Sequence, residues 1–148
     1  MTKLFLALLI SSGVTHANCA TAPVNSSAAI TVMHEFLAAF NARDEVAWAQ
    51  TLHFPHVRVA GGEVIVYANE AEFVAAMDLD RFAETTNWNH STWDEMNVIQ
   101  ASAGKVHITV IFSRFDSDGD KLSTYRSLYV VENIGGRWGV RMRSSFAP

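Results

Sequence analysis

One cysteine, Cys19, serves the whole chain, so no disulfide can staple it from within and its fold must rest on a packed core. Basic runs are missing too. Eleven Lys and Arg stand against fifteen Asp and Glu, a formal charge of -4 with no cluster to meet a phosphate backbone, which argues against nucleic acid as a partner. No apolar run approaches the roughly 20 residues that span a bilayer, so no permanent membrane anchor is expected. No cofactor motif is present, and no cofactor is expected. What remains, 148 residues with 49% hydrophobic and 18% charged, suits one domain with a real core.

The N-terminus carries a targeting pattern. Lys3 is followed by the apolar run LFLALLI, and Thr15 and Ala17 supply small residues where a signal peptidase reads. Residues 1–17 are therefore expected to be a cleaved signal peptide, the protein secreted or periplasmic, and the charge without Lys3 to be -5. Asn18 and His16 sit where a lipoprotein signal wants a small and an aliphatic residue, which disfavours lipidation of Cys19. Residues 18–26 read as a flexible linker and 27–148 as the domain.

Within the domain, Ile30, Met33, Leu37 and Phe40 recur at three- and four-residue steps, which predicts a helix with one apolar stripe ending near Asn41. Asp44 is placed to cap a second, shorter helix carrying Val46, Trp48 and Leu52, stopped at Phe54-Pro55. The pattern then alternates. Residues 56–59 and 64–67 flank Gly61-Gly62 as a hairpin, and Asn69 with Glu72 opens a third helix through Phe73, Val74 and Met77. Strands are expected over about 90–101, 105–115, 121–132 and 137–146, joined by turns at Ala103-Gly104, Asp118-Gly119 and Gly135-Gly136 as an antiparallel meander. The run Asp116-Ser117-Asp118-Gly119-Asp120 fails as a calcium loop, because its glycine is fourth and Ser127 stands where the twelfth-position glutamate belongs.

Two stretches carry a resemblance. Phe36-Leu37-Ala38-Ala39-Phe40-Asn41-Ala42-Arg43-Asp44 and the closing Gly135-Gly136-Arg137-Trp138-Gly139-Val140-Arg141-Met142-Arg143, with the order of elements over about residues 27–146, resemble the nuclear transport factor 2-like superfamily. That group includes ketosteroid isomerase, scytalone dehydratase and SnoaL-like cyclases. The resemblance implies an α+β fold in which a curved antiparallel sheet wraps around N-terminal helices, a cone-shaped α+β barrel. It carries over no isomerase machinery. Phe36 stands for the first-helix tyrosine, the general-base aspartate falls near Gly61, and the second oxyanion donor falls at Leu128 or Tyr129.

If each turn pair is a two-residue loop, the registers follow. Phe112 then faces Tyr125, Val110 faces Ser127 and Ile108 faces Tyr129; Tyr129 faces Met142 and Ser127 faces Ser144; Trp93, Glu95 and Asn97 face Arg114, Phe112 and Val110. This places Ile99, Val106, Ile108, Val110, Phe112, Val131, Val140, Met142 and Phe146 on one apolar face, with Trp93, Glu95, Asn97, Arg114, Tyr125, Ser127 and Tyr129 set among them. Such a cluster is either a closed network, Glu95 bridging Arg114, or the wall of a ligand cavity. The other face, with His107, Thr109, Arg126, Leu128, Val130, Arg141 and Arg143, is expected to be open and to support a homodimer.

The histidines suggest no metal site. His53 and His56 are read as decoration of a corner, since no third ligand of suitable spacing accompanies them. His34 borders the apolar stripe of the first helix. The expected function is binding of a small apolar or amphipathic molecule by Trp93, Glu95, Asn97, Arg114, Tyr125, Ser127, Tyr129 and Met142. The alternatives are a lyase, isomerase or cyclase using Glu95, His34 or Tyr129 for proton transfer, with Arg114 stabilising negative charge, and an assembly domain.

Overall fold

The computed structural model describes residues 26–148. The expected signal peptide, Cys19 and the expected linker up to residue 25 lie outside the described residues. The elements are α1 (Ser27–Ala42), α2 (Glu45–Gln50), β1 (Leu52–Ala60), β2 (Glu63–Tyr67), α3 (Glu70–Ala76), α4 (Leu79–Thr86), β3 (His90–Ala101), β4 (Lys105–Phe115), β5 (Lys121–Ile134) and β6 (Arg137–Ser145).

Local chemistry explains the helix boundaries. At the end of α1, Arg43 turns into the left-handed region (φ 56°) and its N–H is donated to the Ala39 and Phe40 carbonyls. Asp44 then accepts the Ala47 N–H at 2.8 Å to open α2. Asn69 accepts from Glu72 N at 2.9 Å while the Glu72 carboxylate reaches back to Ala68 N, a variant of the reciprocal cap expected there. Helix α4 falls where no helix was expected. Its signals were a short cap at Asp78, which accepts Arg81 N at 2.9 Å, and an apolar stripe of Leu79, Phe82 and Ala83. Leu52, expected in the second helix, instead starts β1.

The six strands form one curved open sheet in the order β2-β1-β6-β5-β4-β3. The meander β3 to β6 is antiparallel, as expected, but β1 joins β6 in parallel, so the sheet is mixed. Helix α1 lies on the concave face, where Met33 and Phe36 meet buried Val106, Ile108, Val110, Tyr129, Val131 and Val140. Asn41 ties the end of α1 to β3, donating to the Ser91 carbonyl and accepting the Ser91 N–H, both at 2.9 Å.

Three one-residue bulges decide which side chains face inward. The β4–β5 register is the expected one, with Phe112 on Tyr125, Val110 on Ser127 and Ile108 on Tyr129. From Gly135-Gly136 the expected register runs through Val131↔Val140, then slips by one at Arg141, so that Val130 meets Met142 and Tyr129 meets Arg143. Met142 is therefore turned to the outer face and Arg143 to the inner, the reverse of the expectation. Strand β3 slips twice. The shift at Ile99 moves Glu95 opposite Ile111 and Asn97 opposite Thr109 on the outer face; the shift at Asp94 returns Trp93 to the inner face, opposite Phe112. Ile99 and Phe146, expected in the core, are exposed.

Candidate functional site

Beneath α1, between the concave sheet face and the α2–α4 segment, lies a cavity of about 300 Å³. Its aromatic wall is built by helices: Phe36 and Phe40 from α1, Trp48 from α2, Phe73 from α3 and Phe82 from α4. Trp48 is the hub, with its ring 5.3 Å from Phe36, 4.9 Å from Phe40 and 5.1 Å from Phe73. Edge and tilted contacts of this kind add to area burial and hold the wall in shape.

The polar wall is built by strands. His56 and Arg58 come from β1, Tyr67 from β2, Arg114 from β4 and Arg143 from β6. His56 is buried; its Nδ1 lies 3.2 Å from the Val140 carbonyl, which can only accept, so Nδ1 carries the proton. Burial, reinforced by Arg143 and Arg141, lowers the His56 pKa to about 4. Arg58 and Arg114 are also held below the ordinary arginine value, chiefly by burial, with Arg143 pushing in the same direction on both. The Arg114 guanidinium carbon sits 5.0 Å from the Phe82 ring centre and 5.2 Å from that of Tyr125.

The residues expected at the site divide into four groups. Arg114 lines the cavity, and Tyr125 stands against its guanidinium. Trp93 and Tyr129 line a void of about 20 Å³ next to it, sharing Phe36, Phe40, Arg114 and Arg143 with the main cavity. Trp93 Nε1 donates to the Met33 carbonyl, and burial raises the Tyr129 pKa. Ser127 is taken up by the Ser145 hydroxyl at 2.7 Å and does not reach the cavity. Glu95 and Asn97, with Ser127, line a groove of about 380 Å³ on the outer face, Met142 faces outward, and His34 is solvent exposed. The Glu95–Arg114 bridge does not form, because the bulge at Ile99 puts the two on opposite faces.

The corner histidines are not decoration. His53 is buried in β1: its Nδ1 accepts from Arg137 Nη2 at 2.8 Å and its Nε2 faces the Arg137 and Glu132 carbonyls, so it is neutral and structural. Of the cavity lining only Arg114 was expected at the site; the sequence reading missed the aromatic wall from the helices and, on the strands, His56, Arg58, Tyr67 and Arg143. The one available signal was that His56 and Arg58 alternate with Val57 and Val59. Amphipathic reading assigns the valines inward; the structure turns them outward, toward Met142 and the exposed Val66 and Val64.

Comparison with known proteins fits this geometry. A family model described as "NTF2-like protein (DUF6841)" matches residues 26–145. No curated protein matches the sequence. Among solved structures, the chain is similar to a protein of unknown function with a cystatin-like fold from Nostoc punctiforme (TM-score 0.69, 8% identity, 86% of this chain and 93% of that one). It is also similar to an NTF2-like protein from Novosphingobium aromaticivorans (TM-score 0.67, 9% identity, 82% and 80%). A ketosteroid isomerase-like protein from Erwinia carotovora atroseptica matches with a TM-score of 0.56 and 17% identity over 81% of this chain and 93% of that one. At these identities the likeness is one of fold.

Proposed function

Since this chain belongs to the NTF2-like family, we propose that it is a small-molecule-binding domain whose ligand occupies the cavity between the helices and the concave sheet face. The observation that carries this reading is the cavity itself. About 300 Å³ of space lies within walls of aromatic rings and a few convergent polar groups, the composition of a ligand site at the small end of the usual size range. Binding is favoured over catalysis by the state of the candidate bases on the wall among the described residues, since Asp78 is engaged as the cap of α4 and His56 is held neutral. A general base works best with a pKa near the operating pH, and His56, at about 4, is a poor proton acceptor. Glu95 and His34 stand outside the cavity altogether.

A thermal-shift screen with small aromatic and acyl compounds tests the proposal. A binder at about 100 times its dissociation constant should add about 2.7 kcal/mol of stability. Replacement of Phe73 by Trp, which fills the cavity, should abolish the shift. No stabilisation by any compound of the panel would sink the reading. In the same proposal the protein acts outside the cytoplasm, to be checked by N-terminal sequencing of the exported chain. It pairs with a second copy through the outer sheet face, where Phe146 is 84% exposed, to be checked by light scattering.

A further inference from the structure

Among the described residues, the arginines of the cavity wall pair with no Asp or Glu side chain. Arg58 and Arg143 are direct partners on the parallel β1–β6 ladder and face the same side, a placement that is unfavourable for like charges. The ion pairs among the described residues are Arg43–Asp80, Lys105–Glu132 and Arg141–Glu132, and none of them includes Arg58, Arg114 or Arg143. The carboxylate in the lining, Asp78, is engaged as the cap of α4. Arg58 Nη2 reaches a Pro148 oxygen only at 3.5 Å.

A second observation points the same way. Among the described residues, two buried side-chain polar atoms have no hydrogen-bond partner: Trp48 Nε1 and Arg114 Nε. Both belong to residues of this cavity, and both are donors. The rings of Phe82, Phe112 and Tyr125 around the Arg114 guanidinium answer its charge but accept none of its N–H groups in the plane. A buried donor left unmatched is costly, and here three half-buried cations, one of them carrying an orphaned donor, line one space with the orphaned Trp48 Nε1. An acceptor with negative charge would answer both the donors and the cations.

Resting on the small-molecule reading above, we propose that the occupant is an amphipathic oxyanion: an aryl or acyl body ending in a carboxylate or phosphate. Arg58, Arg114 and Arg143 hold the head, and Phe36, Trp48 and Phe73 pack on the body. Guanidinium groups suit both heads, because their forked donors match two oxygens at once.

The test titrates the protein by calorimetry with phenylbutyrate, phenylbutyl phosphate and the uncharged phenylbutanol. The anions should bind about tenfold more tightly than the alcohol or better, the scale of one charge-assisted contact. Arg143→Gln and Arg58→Gln should each remove about that factor for the anions and leave the alcohol unchanged. Without ligand, Arg58→Gln should melt no lower than the parent protein, since it relieves a like-charge pair; an arginine retained for structure alone would lower the melting temperature. Whichever anion binds more tightly identifies the head group. Equal affinity for anions and alcohol would overturn the oxyanion assignment while leaving the small-molecule reading intact. Failure of all three probes to bind would remove both.

Discussion

Two of the three arginines of strand β6, two residues apart, live in opposite circumstances. Arg141, at the bulge, donates to the Phe54 carbonyl at 2.7 Å and lies 3.8 Å from the Glu132 carboxylate, which also binds Lys105 at 2.8 Å. Arg143 turns inward beside Arg58 and Arg114, with no carboxylate paired to it among the described residues. Arg141 on the outer face is thus matched by a carboxylate, while the inner face holds three half-buried arginines with no Asp or Glu side chain paired to them among the described residues. Charges without an acidic partner in a cavity cost stability, and a ligand of opposite charge would recover that cost.

The contrast between the faces can be tested by stability measurements. The largest effect should come from pH. His56 has a folded pKa of about 4 against an ordinary 6.5, because burial disfavours its charged form. Between those values the unfolded chain takes up a proton that the folded chain refuses. Stability is therefore complete above pH 6.5 and falls as the pH drops toward 4, by on the order of 3 kcal/mol. His53, lowered in the same direction by burial, adds to the loss. Urea denaturation across that window should show this slope, and His56→Gln should flatten it; an unchanged slope would mean that His56 is not held neutral.

A smaller effect is expected where the inner face meets its corner. A Cβ on Gly139 would lie 2.8 Å from His53 Cδ2 and 3.1 Å from Arg137 Nη1, and the His53 ring is pinned from both nitrogens. Gly139→Ala should therefore cost about 1 to 3 kcal/mol by overpacking, read from the denaturation midpoint. The smallest effect belongs to the outer face. Lys105→Ala breaks a solvent-accessible ion pair and should cost under about 1 kcal/mol. A loss of several kcal/mol there would erase the distinction between a matched, solvated face and a strained, buried one.

Much of the fold was legible in the sequence, because its signals are local. Asp44 and Asn69 announce their helices, and glycine pairs announce the hairpins. The Asp118-Gly119 turn correctly predicted every β4–β5 pair that defines the inner face. The site was less legible. Arg114 and its aromatic support could be placed from that same turn, whereas Glu95, Asn97 and Met142 were misassigned and Arg143 was assigned to the wrong face. Alternation has a period of two, so one extra residue reverses every side chain beyond it, and nothing in the composition around Asp94, Ile99 or Arg141 advertises an extra residue.

What the chain alone determines is the set of elements, their caps and turns, and the apolar stripe of α1, each set by interactions between residues close in sequence. What tertiary structure decides is the inward face of β1 and β6. Their parallel pairing joins segments some 85 residues apart, as the 85-residue separation of Arg58 and Arg143 shows, and fixes which arginines share the cavity. That choice depends on packing β1 against a strand made at the far end of the chain and on where the ladder absorbs its bulges. No local pattern records either.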